Sequence, residues 1–218
     1  MHEVYIAEMK QQPDNARRFY VWFDAEYSSL HLETAYLLQV AALITDTSLR
    51  RVLPQEHDVR AAIQLPDGIK PSPWVEQNLP VLIKTCRSSE AVEIAEADNR
   101  LAAYVDAAAG LPAELENQRP VLAGNSIHED WWLVRRFLPR FLSRLNYRHL
   151  DVTAIKLEWN LLHADGEFDK ADPDIIHRYF PEAVFPVSCG LHDAYYDLQA
   201  SIAELAYYRK HLFRPQSL

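Results

Sequence analysis

The chain has 218 residues, with 22 Lys and Arg against 31 Asp and Glu, a formal net charge of −9. That length predicts one domain, or one domain with extensions, and an apolar content of 49% excludes wholesale disorder. Only five glycines and two cysteines are present, which argues against a fold built on a Gly-rich phosphate loop, a disulfide framework or a four-thiolate zinc site.

The longest apolar stretch, Tyr36 to Ile44, is interrupted by Gln39 and falls far short of the ~20 residues of a membrane span. The acidic start Met1-His2-Glu3 lacks the basic and apolar regions of a signal peptide, so a soluble, cytoplasmic protein is expected. The acidic balance opposes tight binding of a long polyanion, because phosphate neutralisation dominates such affinity. A nucleic-acid role therefore calls for a local basic patch, bound metal ions or a very short substrate.

In chain order, residues 1–18 read as a polar leader with a turn signal at Pro13-Asp14-Asn15. Phe19 to Phe23 is a buried-strand run, Leu37 to Thr45 a second one, and Arg51-Val52-Leu53 and Ile63-Gln64-Leu65 predict a third and fourth strand. Pro66 to Pro80 holds four prolines and reads as irregular, with Trp74 as an anchor. Helical spacing follows from about Glu90 to Ala109, then a short strand at Pro120 to Ala123 and a helix from Glu129 to Leu142. His149 to Val152 predicts another strand, with a helix starting near Thr153. Residues 163–190 read as an acidic loop, and His192 to His211 as a strong helix with Leu198, Ile202 and Leu205 inward. Strands first, then alternating helices and strands, predict an α/β domain with a mixed central sheet flanked by helices.

Three short segments carry possible chemistry, and each also has an ordinary reading. Asp24 and Glu26 end the first strand, where residues i and i+2 point to the same side. They are either two solvated charges or a pair that needs a cation between them. Asp130 opens a helix after Gly124-Asn125-Ser126, where it serves either a site at a strand's carboxyl end or the helix dipole. Ser126 with Glu129 also fits a capping box. His192 and Asp197 would not share a face of one helix, but converge if His192 lies in the loop just before it.

Taken together, Asp24, Glu26, Asp130 and Asp197 with His192 meet the needs of two-metal phosphodiester hydrolysis. Hard Mg²⁺ or Mn²⁺ prefers carboxylate oxygen, and two such ions ~3.5–4 Å apart clamp the attacking and leaving oxygens. Two dications also neutralise the four acids. A histidine, titrating near neutrality, suits the proton from the attacking water.

The pattern Asp-x-Glu, a central Asp and His-x4-Asp resembles the DEDDh 3′-to-5′ exonucleases, and within them the oligoribonuclease family. The matches are Trp22-Phe23-Asp24-Ala25-Glu26, Gly124 to Ile127 with Asp130, Tyr147 to Thr153, and Ser201 to Arg209. The last two stretches point to oligoribonuclease in particular. The resemblance implies a ribonuclease H-like fold over residues 19–212, with 1–18 and 213–218 as flanking segments. It implies a metal-dependent 3′-to-5′ exoribonuclease that hydrolyses short single-stranded oligoribonucleotides, down to dinucleotides, to 5′-mononucleotides. Asp24, Glu26, Asp130 and Asp197 would hold two Mg²⁺ or Mn²⁺ ions and His192 would be the general base. Leu30 would wedge against the bases, while Ser126, Arg148 and Thr153 would contact the terminal phosphate. Tyr147 would reach the neighbouring subunit's site, which implies a homodimer.

The sequence departs from the family pattern at Tyr27-Ser28-Ser29, where the family has Met-Thr-Gly, and at Gln39, where it has Glu. The stretch before His192 is also longer than in the family. Two other readings stand beside the short-RNA exonuclease. One is an exonuclease acting on longer single-stranded DNA or RNA, which would call for a basic, aromatic-lined channel. The other is a catalytically silent nucleotide-binding relative. Asp165 to Lys170 fails as a calcium loop because Lys170 stands where glycine is needed. Cys86 and Cys189 read as reduced thiols.

Overall fold

A computed structural model describes residues 19–110, 116–163, 168–185 and 192–212 of the chain. The polar leader, Cys189 and residues 213–218 lie outside the described residues. The described strands form one five-stranded sheet ordered β3-β2-β1-β4-β5. They are β1 (Phe19–Tyr27), β2 (Leu37–Asp46), β3 (Val59–Ala62), β4 (Val121–Gly124) and β5 (His149–Asp151). β2 runs antiparallel to both β1 and β3, whereas β4 runs parallel to both β1 and β5. The expected mixed sheet is therefore present, with β1 paired on both sides.

Alternation along β1 decides what each face buries. Val21, Phe23 and Ala25 pack on one side with α3 (Ile94–Ala109), α4 (Ile127–Phe137) and α5 (Pro139–Leu142). Trp22 faces the other side, toward α6 (Val152–Leu162), α7 (Pro173–Tyr179) and α8 (Ala194–Leu212). Its indole N–H, fully buried, is satisfied by Thr45 Oγ1 at 2.9 Å, as a buried polar group requires. A third apolar cluster joins Leu38 to α1 (Pro73–Asn78) and α2 (Pro80–Cys86).

Several elements differ from the sequence reading. The third strand is Val59–Ala62, not 51–53 or 63–65. Pro54 has no N–H to extend a ladder past Leu53, so Arg51 makes one bridge to Thr45 and Ile63 one to Val92. That bridge holds the backbone at Val92, and the following helix starts only at Ile94. The proline-rich segment is helical: Ser72 accepts a capping bond from Val75 N, and Pro73 occupies the first turn, where a missing N–H costs nothing. The helix expected over 129–142 is interrupted at Leu138 because Pro139 disfavours helical geometry before it. The acidic loop contains α7, capped by Asp172 with Pro173 following. Ser126 does stand at the N-cap of α4, but in left-handed geometry (φ 49°) and with no capping bond from its side chain, so there is no capping box.

Candidate active site

The period-2 face that buries Trp22 continues to Asp24 and Glu26 at the carboxyl end of β1, beside α8. Asp130 comes from the first turn of α4, only 6% exposed, and its carboxylate accepts a backbone hydrogen bond from Ala25. Asp197 lies in the first turn of α8. His192 stands in the turn before that helix with φ 68°, and its backbone N–H donates to Asp197 Oδ2 at 2.9 Å. Glu26, His192 and Asp197 each offer a ligand atom within 4.8 Å of the others. All five residues line one cleft of about 640 Å³.

The acids there are under strain as charges. Burial pushes the Asp24 carboxyl well above the usual range, reinforced by Asp130, Asp197 and Glu26. Glu26 is pushed up to about 8, first by burial and then by Asp197 and Asp193. Asp130 and Asp197 are raised as well, chiefly by burial. Asp197 Oδ1 is buried without a hydrogen bond, and the nearest cation is Lys170 Nζ at 3.7 Å. Crowded, desolvated carboxylates with an orphaned oxygen form a donor set that fits hard divalent cations.

Lys170, at the end of the acidic stretch that fails as a calcium loop, lines the cleft. Its carbonyl accepts the Tyr196 hydroxyl at 3.0 Å, and its charge lowers the pKa of Asp24, Glu26 and Asp197. Only its position in an acidic stretch hinted at this. Trp74, 50% exposed, meets the His192 ring edge-on at 5.1 Å and lines the same cleft.

Leu30 projects from the cleft rim, 83% exposed. Ser126 lines the cleft as well. Thr153 stands behind it, with its Oγ1 accepting the Ser126 N–H at 2.8 Å. Tyr147 and Arg148 are not among the described residues that line the cleft. Both are exposed, with the Arg148 guanidinium 4.9 Å from the Tyr147 ring.

The departures from the family pattern have local structural uses. Ser28 is buried, and its hydroxyl accepts Tyr36 N at 2.9 Å, closing the loop that carries Leu30. Tyr27 donates its hydroxyl to Glu129. Gln39 accepts the Ala194 N–H at 3.1 Å and donates to Asp193 at 3.3 Å, which fixes the start of α8. At Gly124 an added Cβ would sit 2.8 Å from the Phe23 carbonyl, so β4 approaches β1 as closely as glycine permits.

No protein-family model matches the chain. Among solved structures it is similar to exonuclease I from Methylocaldum szegediense, with a TM-score of 0.63 at 18% identity, over 89% of this chain and 41% of that one. That likeness establishes a ribonuclease H-like fold. The chain is 29% identical over 206 residues to an oligoribonuclease of Streptomyces avermitilis, covering 90% of this chain and 88% of the relative. It is 30% identical over 205 residues to an oligoribonuclease of Rhodococcus jostii, with the same coverage. Nearly full-length similarity on both sides, together with the ribonuclease H-like fold, means that the chain belongs to the oligoribonuclease family.

Proposed function

We propose that the protein is a 3′-to-5′ exoribonuclease that hydrolyses short oligoribonucleotides, dinucleotides among them, to 5′-mononucleotides. The observation that carries this reading is the meeting of Asp24, Glu26, Asp130, Asp197 and His192 in one cleft, from three separate elements and the turn before α8. The names of the relatives support an exoribonuclease activity. Asp24, Glu26, Asp130 and Asp197 would hold two divalent cations, Mg²⁺ or Mn²⁺, which supply charge neutralisation at the scissile phosphate. His192 takes the proton from the attacking water as the water oxygen bonds to phosphorus. The P–O bond to the 3′ oxygen breaks and that oxygen takes up a proton from solvent, leaving a 5′-mononucleotide and a chain shortened by one residue that ends in a 3′-hydroxyl.

Size and charge support a short substrate. About 640 Å³ lies within the ~300–1,000 Å³ of small-ligand sites, and a net charge of −9 disfavours a long polyanion. Leu30 and Trp74 offer apolar surface to bases, while Ser126 and Thr153 close the far wall against the terminal phosphate. Tyr147, exposed and outside its own cleft, acts from a second subunit of a homodimer, and Arg148 contacts the terminal phosphate. Residues 19–212 form the exonuclease domain, working in the cytoplasm. No described helix is long and apolar enough to cross a membrane.

The test is hydrolysis of 5′-labelled RNA of two, three, five and seven nucleotides, with matched DNA, in Mg²⁺, in Mn²⁺ and in EDTA. Metal-dependent cleavage strongest on the dinucleotide is expected. Equal cleavage at all lengths would overturn the short-substrate part, and no cleavage in either metal would overturn the enzyme.

A further inference from the structure

The segment Ser201 to Arg209 is among the most telling matches to the family, yet of its residues only Ser201 lines the cleft. Glu204 lies one layer behind, on α8, 1% exposed. Its Oε2 accepts Asn125 Nδ2 at 2.8 Å and its Oε1 accepts the Tyr208 hydroxyl at 2.7 Å. Lys156 Nζ stands 3.9 Å from the same Oε1. Asn125 Nδ2 also donates to Ser201 Oγ at 3.0 Å, and Ser201 in turn donates to the Asp197 carbonyl at 2.9 Å.

An ionised carboxylate can only accept hydrogen bonds, and that fixes the sense of everything beyond it. Asn125 must turn its NH₂ toward Glu204, so its Oδ1 faces Thr153. The Thr153 hydroxyl must then spend its single proton on Asn125 Oδ1, at 3.2 Å. Its lone pairs are left to accept the Ser126 N–H at 2.8 Å. Asp151 Oδ1 accepts the same N–H at 3.1 Å and the Thr153 N–H at 2.9 Å. The relay therefore runs from a buried charge to Ser126, a cleft residue held in left-handed geometry with φ 49°.

We infer that Glu204 is a positioning residue that sets the preference for the shortest substrates, by holding Asn125 and through it the Ser126–Thr153 wall that meets the substrate's terminal phosphate. This rests on the short-substrate reading above. Without the carboxylate, Asn125 can turn over, Thr153 loses its fixed acceptor and the wall relaxes. A longer strand gains room, while a dinucleotide loses the end contact that compensates for its small size. Of the cation-binding acids only Asp197 touches the network, through its backbone carbonyl and not its carboxylate.

The experiment measures kcat and KM for two- and seven-nucleotide RNA with Glu204→Met, Glu204→Gln and Thr153→Val, alongside Mn²⁺ affinity by titration. Glu204→Met should raise KM for the dinucleotide and lower the ratio of dinucleotide to heptanucleotide kcat/KM by ~10- to 100-fold, the scale of one buried charged hydrogen bond. Mn²⁺ affinity should stay within about twofold, because the network meets Asp197 at its backbone carbonyl and not at its carboxylate. Glu204→Gln should restore most of the ratio, because its amide oxygen can still accept from Asn125 while its NH₂ donates to Tyr208. Thr153→Val removes the hydroxyl at the far end of the relay and gives the full loss of the wall, against which Glu204→Met is scaled; if Glu204→Met does not fold, Glu204→Asp, too short to reach Asn125, takes its place. An unchanged ratio in the folded variants, or an equal loss at both lengths together with Mn²⁺ affinity, would overturn the inference. A flat length profile in the unaltered protein would instead overturn the short-substrate reading and this inference with it.

Discussion

The backbone N–H of His192 donates to the Asp197 carboxylate at 2.9 Å, so the turn carrying the histidine is tied to α8 by a bond that no side-chain change at 192 removes. Asp197 is thereby fixed from one side by its own helix and from the other by the residue proposed to take the proton. The His192 side chain itself is exposed, with the Trp74 ring edge-on to it and the Glu26 and Asp197 carboxylates within 4.8 Å.

His192→Ala is therefore expected to lower kcat by ~10²- to 10⁴-fold, the usual contribution of a general base. Its melting temperature and Mn²⁺ affinity should stay close to those of the unaltered protein. Steady-state kinetics with a thermal melt checks this, and near-normal turnover would remove His192 from the proposed role.

The crowded acids give the metal-free protein a pH dependence. Glu26 has a folded value of about 8 against an ordinary 4.5, and Asp24, Asp130 and Asp197 are raised too. An acid that holds its proton more tightly when folded makes stability fall as pH rises between the two values. In EDTA the protein should lose on the order of a few kcal/mol between about pH 4.5 and 8. Urea unfolding at pH 5.5 and 8, with and without Mn²⁺, reads the effect, and the ion should stabilise far more at the higher pH.

Tyr147 stands 52% exposed and away from its own cleft. Tyr147→Ala should cut activity by about 5- to 150-fold, as loss of a base-stacking contact worth ~1–3 kcal/mol implies, and leave Mn²⁺ affinity alone. Mixing Tyr147→Ala with His192→Ala protein should recover activity, because the hybrid dimer holds one site with both groups intact. A monomer by light scattering, or no recovery on mixing, would sink the shared site.

Gly124→Ala would place a Cβ 2.8 Å from the Phe23 carbonyl and 3.0 Å from Ile127 Cδ1. Since Phe23 precedes Asp24, the shift should reach the cleft. Chemical denaturation is expected to show a loss of ~1–3 kcal/mol, with weakened Mn²⁺ binding. Unchanged values for both would mean that β4 yields without moving β1.

The strands and helices that carry the cleft acids were legible because their signals are local. Phe19 to Phe23 is apolar without a break, the two acids after it share a period-2 face, and α8 shows its inward residues at helical spacing. The helices at Pro73–Asn78 and Pro173–Tyr179 were hidden behind prolines and acids, although Ser72-Pro73 and Asp172-Pro173 are cap-then-proline starts. Other features had no local signal at all. Lys170 reaches Asp197 across 27 positions of sequence, and Glu204 reaches Asn125 across 79. A charge in an acidic loop and a glutamate in a polar-looking helix acquire their partners only when the chain has packed.

Gln39 touches the start of α8 twice, once as acceptor and once as donor to Asp193. A glutamate at 39 would keep the first contact and replace the second with two facing carboxylates. The neutral amide thus lets an acid stand at 193, at the mouth of a cleft already crowded with carboxylates, without adding a further negative charge on β2 to those that raise Glu26.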